Sequence, residues 1–247
     1  MIGIADIHCH ILPYVDDGAE QKEESRKLLK MMYEQGVRTV CLTPHFRKGM
    51  FETPDEEILE QFERFKERAG KLRRRMHFYL SREYFCDSEF VRRLEKGNVL
   101  PMGNRNVLLT EMSSRYSEQQ IIDYIEIVRK SGYCPLIAHI ERYPALKKNI
   151  SLVRELTERG ALIQVNAGSI LGREGIKQAA WVKKLLNEEL VHVVASDSHD
   201  SDTRPPEMDK VANHLEHKVG TEYTKELLRI NPLTILGGSR RNEDAFD

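Results

Sequence analysis

The chain has almost no net charge: 38 Lys plus Arg stand against 39 Asp plus Glu in 247 residues. This balance removes the electrostatic reason to expect nucleic acid or an anionic membrane as a partner. No apolar run approaches the roughly 18 to 20 residues needed to cross a bilayer. The opening residues lack the basic, apolar and small-residue succession of a signal peptide, so the expected location is the cytoplasm, without membrane insertion. Cysteine is sparse. Cys9, Cys41, Cys86 and Cys134 are far apart and form no C-x-x-C pair, which argues against a cysteine zinc module and for reduced, buried thiols. Linkers, internal repeats and low-complexity stretches are also missing. With hydrophobic residues at 40% and charged residues at 31%, residues 1–247 read as one domain with a sizeable core. Only the polar tail from about residue 237 to 247 is expected to fray.

The chain does contain a regular alternation of short apolar runs and helical patterns. Seven β-branched-rich runs read as strands: Ile2–His8, Arg38–Thr43, His77–Arg82, Val107–Thr110, Cys134–Ala138, Ala161–Val165 and Val191–Ala195. Between them, Glu20–Gln35, Asp55–Arg75, Ser117–Ser131 and Ser151–Arg159 have helical period. Gly36, Gly132 and Gly160 follow three of these stretches as C-cap glycines do. Ser117 with Gln120 resembles a capping box, and Ser151 marks another helix start. The basic run Arg73–Arg75 reads as a solvated helix end. Strand–helix alternation implies a parallel sheet with crossover helices, and seven unbroken repeats favour closure into a barrel.

On that map, chemistry gathers at strand C-termini, where barrel enzymes carry their active sites. His8 and His10 end the first strand, His45 follows the second, and Glu83, Glu111 and His139 follow the third, fourth and fifth. Asp197 and His199 follow the seventh, and Asp17 lies in the first βα loop beside a chemically equivalent Asp16. In His-x-His and Asp-x-His the period of two turns both side chains to one face. A lone His or Glu at a strand end is usually a satisfied polar group. Six such ends, two of them paired, describe a metal centre instead. The imidazole and carboxylate set suits zinc, manganese or iron, and bridging carboxylates could hold two or three ions. Such a cluster activates water and clamps phosphoryl oxygens. His77, His192, His214 and His217 fall elsewhere and are left out.

These residues resemble the PHP (polymerase and histidinol phosphatase) superfamily: His8-x-His10, Val15-Asp-Asp-Gly18, Thr43-Pro-His45, Glu83, His139-Ile-Glu-Arg-Tyr143 and Ser196-Asp-Ser-His199. More narrowly, the segments 47–54, 137–143, 190–197 and 204–206 are similar to the manganese-dependent protein-tyrosine phosphatases of bacterial capsule and exopolysaccharide operons, the CpsB/CapC type. The resemblance spans Ile4 to about Leu236. It implies a distorted TIM-like (β/α)7 barrel of PHP type with a trinuclear site. His8, His10, Glu83 and Asp197 would hold one ion; Glu83, Glu111 and His139 a second; Asp17, His45 and His199 a third. Arg142 and Arg204 match the phosphate-binding arginines, whose guanidinium forks fit phosphoryl oxygens.

The implied reaction is attack of metal-bound hydroxide on phosphotyrosine, without a phosphoenzyme. His10, His199 or water would protonate the phenolate. The implied partner is a phosphotyrosine protein, namely a cognate bacterial tyrosine kinase, and the chain could self-associate. One departure concerns Ser81-Arg82-Glu83, where relatives carry a small Gly-x-Glu; alternation requires Arg82 to point away from the metals. Rival readings are a PHP-type small-molecule phosphatase such as a histidinol-phosphate phosphatase, a nucleic-acid phosphodiesterase, and a non-catalytic regulator. The spacings Cys41-x5-Arg47 and Cys86-x5-Arg92 also match the bare signature of cysteine phosphatases. The first has no glycine and includes Pro44, which lacks an N–H for a phosphate loop.

Overall fold

Every strand of the fold runs parallel to its neighbours. The computed structural model describes residues 3–147 and 149–237, so Ile2 and tail residues 238–247 lie outside the described residues. The strands are β1 (Ile4–Cys9), β2 (Val37–Leu42), β3 (His45–Phe46), β4 (His77–Leu80), β5 (Glu83–Phe85), β6 (Val107–Glu111), β7 (Cys134–Ile137), β8 (Leu162–Asn166) and β9 (Val193–Ala195). They form one sheet in the order β1-β2-β4 and a second in the order β3-β5-β6-β7-β8-β9. The two sheets share broken strands. β2 and β3 are interrupted at Thr43-Pro44, and β4 and β5 at Ser81-Arg82, yet Ser81 N–H donates to Leu42 O (2.9 Å) and Glu83 N–H to Pro44 O (3.1 Å). Seven strand positions result, as the sequence implied. β9 then meets β1 through Asp197 N–H on His8 O (2.8 Å) and His10 N–H on Ser198 O (2.9 Å). The curled sheet is a distorted α/β barrel.

Two apolar cores hold it. The larger lies between sheet and helices, with Leu28, Leu29, Met32, Ile58, Phe65, Ile121, Ile125 and Leu185 among its buried members. These residues recur at helical spacing because each helix buries a single stripe. The smaller core joins Met102, Val107, Leu109, Leu136, Val193, Ile235 and Leu236. Asn104 N–H bonds to Leu236 O, which ties the C-terminal helical segment to the segment that leads into β6.

Several boundaries differ from the sequence reading for local reasons. The helix expected to reach Arg75 ends at Arg68, and a 3-10 turn, Gly70–Arg74, follows it. Asn149, not Ser151, caps helix Ile150–Glu158, its side chain accepting from Leu152 N–H. The capping box of Ser117 and Gln120 is formed, and Gly36, Gly132 and Gly160 all have positive φ. Arg82 points away from Glu83 as alternation requires. It is fully buried, donating to Asp55 (2.6 Å), Thr53 O and His45 O, and Ser81, which stands where the resemblance expects glycine, is buried with its hydroxyl donating to Leu100 O (2.9 Å).

Candidate metal centre

The nine expected ligands meet at the C-terminal end of the barrel. Glu83 is their hub: its Oε2 lies 3.1 Å from His8 Nε2, 3.2 Å from His10 Nε2 and 3.1 Å from His45 Nδ1, and its Oε1 lies 2.9 Å from His139 Nε2. Among the described residues, three groups have ligand atoms mutually close enough to share a cation. They are His8, His10, Glu83 and Asp197; His45, Glu83 and Glu111; and His10, Asp17, His45 and His199. The first matches the implied grouping, and the third does so with His10 added. In the second, His45 stands where His139 was expected, although His139 Nε2 is only 3.9 Å from Glu111.

The paired aspartates take different places. The Asp16 carboxylate is buried; it accepts from His45 N–H (2.9 Å) and Gly18 N–H (3.0 Å) and meets His10 Nδ1 at 2.7 Å. Half-exposed Asp17 puts Oδ1 3.5 Å from His45 Nε2 and 3.6 Å from His199 Nε2. Val-Asp-Asp-Gly thus sends one carboxylate beneath the imidazoles and one among them. Gly18 is required for that turn, because a Cβ there would collide with the carbonyl of His10. His139 and Asp197 adopt left-handed backbone, φ 31° and 52°, uncommon for non-glycine residues and characteristic of strained functional positions.

Outer contacts fix the imidazole tautomers. Gln164 Oε1 accepts from His139 N–H at 2.6 Å, which orients its amide. The same oxygen is 3.1 Å from His8 Nδ1, so that nitrogen carries the proton and Nε2 turns its lone pair to the cluster. Gln164 Nε2 then donates to Asn166 Oδ1, and Asn166 Nδ2 to Asp197 Oδ2, each at 2.8 Å. His10 is set by Asp16, and His199 by donation from Nδ1 to Asp197 O (3.0 Å). Tyr143 donates to Ala138 O and faces His139 Nδ1 at 3.3 Å. This is the way metal-binding histidines are usually held. Sequence reasoning missed Gln164 and Asn166 because β8 ends without a ligand; their spacing of two at that strand end was the available signal.

Charge in the cluster calls for cations. Burial alone would push the Glu83 and Asp197 carboxyls up, but His8 and further imidazoles, with Arg142 and Arg204 at Asp197, hold both well below the usual range. Glu111 is pushed up to about 8 by burial and by the carboxylates of Glu83 and Asp197. Burial takes His45 down to about 4. His45 Nδ1, although 3.1 Å from Glu83 Oε2, and His199 Nε2 are buried without a hydrogen bond of good geometry. Ionised carboxylates, lone pairs turned inward and orphaned nitrogens fit a divalent metal cluster. Replacing Gln164 with Leu is expected to weaken divalent-metal affinity about 10- to 100-fold by releasing His8 and His139. Calorimetric titration with manganese reads this, and an unchanged affinity in a folded variant would show that the amide does not support the ligands.

Arg142 and Arg204 arrive from β7 and β9. Their guanidiniums sit 3.0 and 2.8 Å from the same oxygen, Asp197 Oδ2, and Glu174 holds Arg142 from the other side at 3.1 Å. All four cysteines are free, and three are fully buried. Burial raises the thiols of Cys41 and Cys86 far above neutrality, the reverse of an activated nucleophile.

A parallel barrel gathering a His/Asp/Glu cluster able to bind metal, with guanidiniums beside it, defines the class of metal-dependent phosphoester hydrolases. Within that class the chain belongs to the capsular polysaccharide synthesis CpsB/CapC family, whose model matches residues 4–237. It is 38% identical over 236 residues to the tyrosine-protein phosphatase CpsB of Streptococcus pneumoniae, covering 94% of this chain and 97% of that one. Identity to the tyrosine-protein phosphatase YwqE of Bacillus subtilis is 33% over 221 residues, 88% and 85% of the two chains. A crystal structure from work on YwqE and CpsB, described as unique metal-dependent tyrosine phosphatases, superposes with TM-score 0.84 at 31% identity over 96% of each chain. An Escherichia coli phosphotriesterase homology protein, TM-score 0.64 at 12% identity over 94% of this chain and 98% of that one, shares the fold.

Proposed function

We propose that this protein is a metal-dependent protein-tyrosine phosphatase using two or three divalent ions, with manganese the leading candidate and iron or zinc the alternatives. The observation that carries the reading is the pair Arg142 and Arg204, both directed at the carboxylate of Asp197 on the edge of the nine-residue cluster. A phosphoryl group bound there would receive two guanidinium forks. His8, His10, Asp17, His45, Glu83, Glu111, His139, Asp197 and His199 would hold the ions, and Asp16, Gln164 and Tyr143 would orient them. The bound ions would supply Lewis acidity and an acidified water. Arg142 and Arg204 then orient the phosphoryl group and offset charge gained in the transition state. His10, His199 or water is the proton source for the phenolate, which departs readily. The substrate we infer is a phosphotyrosine protein, in particular a bacterial tyrosine kinase of polysaccharide synthesis.

Two comparisons test this. Chelation should abolish hydrolysis of a phosphotyrosine peptide, whereas the Cys41→Ser, Cys86→Ser double variant should keep it; the reverse pattern would move the chemistry to a thiolate. Phosphotyrosine peptide should also exceed histidinol phosphate in kcat/KM, and a clear preference for the small molecule would overturn the substrate assignment.

A further inference from the structure

We propose that the hairpin following β3, together with Phe85, forms an aryl subsite that selects the leaving group of the phosphoester. The proposal rests on the phosphatase reading above and adds to it the part of the molecule that recognises the ring.

The sheet register places these residues. His45 pairs with Glu83 and Phe46 with Tyr84, and Phe85 pairs with Glu111. Arg47 and Phe85 therefore lie one rung outward from His45 and Glu83 and share their face. The Arg47 guanidinium sits 4.1 Å over the Phe85 ring, a cation–π contact that fixes the ring's orientation. Beyond Arg47 the chain closes a tight hairpin: Arg47 N–H donates to Phe51 O (2.9 Å) and Phe51 N–H to Arg47 O (2.8 Å), with Gly49 at φ 74° in the turn. The hairpin turns Phe51 back over the cluster, where its ring stacks on His45 with centroids 5.1 Å apart and planes at 14°. Tyr116 backs Phe85, its centroid 6.4 Å away, while its own ring stacks on Tyr124 and its hydroxyl donates to Cys86 O. Phe51, Phe85 and Tyr116 are all only half-buried.

Phe51 and Phe85, apolar rings left half-exposed beside a highly charged cluster and outside the main core, are out of place for packing alone. Ligand sites have this composition, an aromatic lining with a few directed polar groups. The arginines stand at the ends of β7 and β9, and the aromatic wall stands at β3 and β5. With phosphoryl oxygens held at Arg142 and Arg204, the ester substituent must leave through the remaining side of the mouth, where the rings are. An aryl group there gains apolar burial and offset or edge-to-face contact with Phe51 and Phe85. A short alkyl group gains little. This subsite favours an aryl phosphate over an alkyl phosphate, by contacts on the leaving group and not on the phosphorus.

The test uses non-hydrolysable phosphonates, so that binding is read apart from leaving-group reactivity. Phenylphosphonate should inhibit the metal-loaded wild-type protein with an inhibition constant about ten-fold or more below that of methylphosphonate. Phe85→Leu and Phe51→Leu should each erode that ratio, with methylphosphonate binding and metal content unchanged. Equal inhibition by the two phosphonates in the wild type, or an unchanged ratio in both variants, would overturn the subsite. A loss of metal in Phe51→Leu would assign that ring to the support of His45 instead and remove it from the subsite. Failure of the phosphatase reading itself would look different: no aryl phosphate would be hydrolysed by the wild type.

Discussion

Glu83→Gln is expected to lower kcat/KM by about a thousand-fold or more, the equivalent of roughly 4 kcal/mol of transition-state stabilisation. The size follows from position. Glu83 is fully buried, touches four imidazoles with two oxygens, and belongs to two of the three groups able to share a cation. Glutamine keeps the shape but replaces one anionic oxygen with an NH2 that would face nitrogen lone pairs. Charge that offsets cations is lost, and a donor is aimed where acceptors are needed. Metal analysis of the purified variant should therefore show fewer ions per chain, and excess metal should restore activity only partly. Wild-type stoichiometry with wild-type turnover would show that Glu83 is not a ligand.

Arg204→Ala, and separately Arg142→Ala, should each reduce kcat by about 10²- to 10³-fold, the usual loss when a preorganised donor to a developing oxyanion is removed. Here metal content should stay intact, which separates this effect from that of Glu83. Both guanidiniums contact one oxygen of Asp197, so a phosphoryl group would meet them as a unit and the double variant should cost less than the product of the singles. Lysine should rescue poorly, since an ammonium cannot reproduce a planar fork. Arginine variants that change KM alone would reduce these residues to ground-state binding.

The strand-end ligands were legible because two periodicities agree. Alternation along a strand turns His8 and His10 to one face, and parallel order brings every C-terminal end to one mouth. What stayed hidden depends on contacts between distant segments. Nothing local distinguishes Asp16 from Asp17; only the turn at Gly18 sends one beneath His10 and leaves the other half-exposed. Gln164 lies within a strand that ends without a ligand, so its hold on His8 and His139 needed the neighbouring strands in place. Arg82 pairs with Asp55 across 27 residues, a spacing with no periodic signature. The helix past Arg68 failed for a local reason, since Gly70 at φ 55° cannot continue it.

The seam between β1 and β9 has a consequence for assembly. His8 and His10 are joined to Asp197 and Ser198 by backbone bonds, so β1, synthesised well before β9, completes the cluster only when β9 docks. A contact spanning almost 190 residues is slow to form, and the two ligand groups that join His8 or His10 to Asp197 or His199 are complete only in the closed barrel. A nascent chain therefore displays His8 and His10 long before these two groups can hold metal tightly. Capture there would be a late event in biogenesis, and the ions would act as a clasp for the finished barrel.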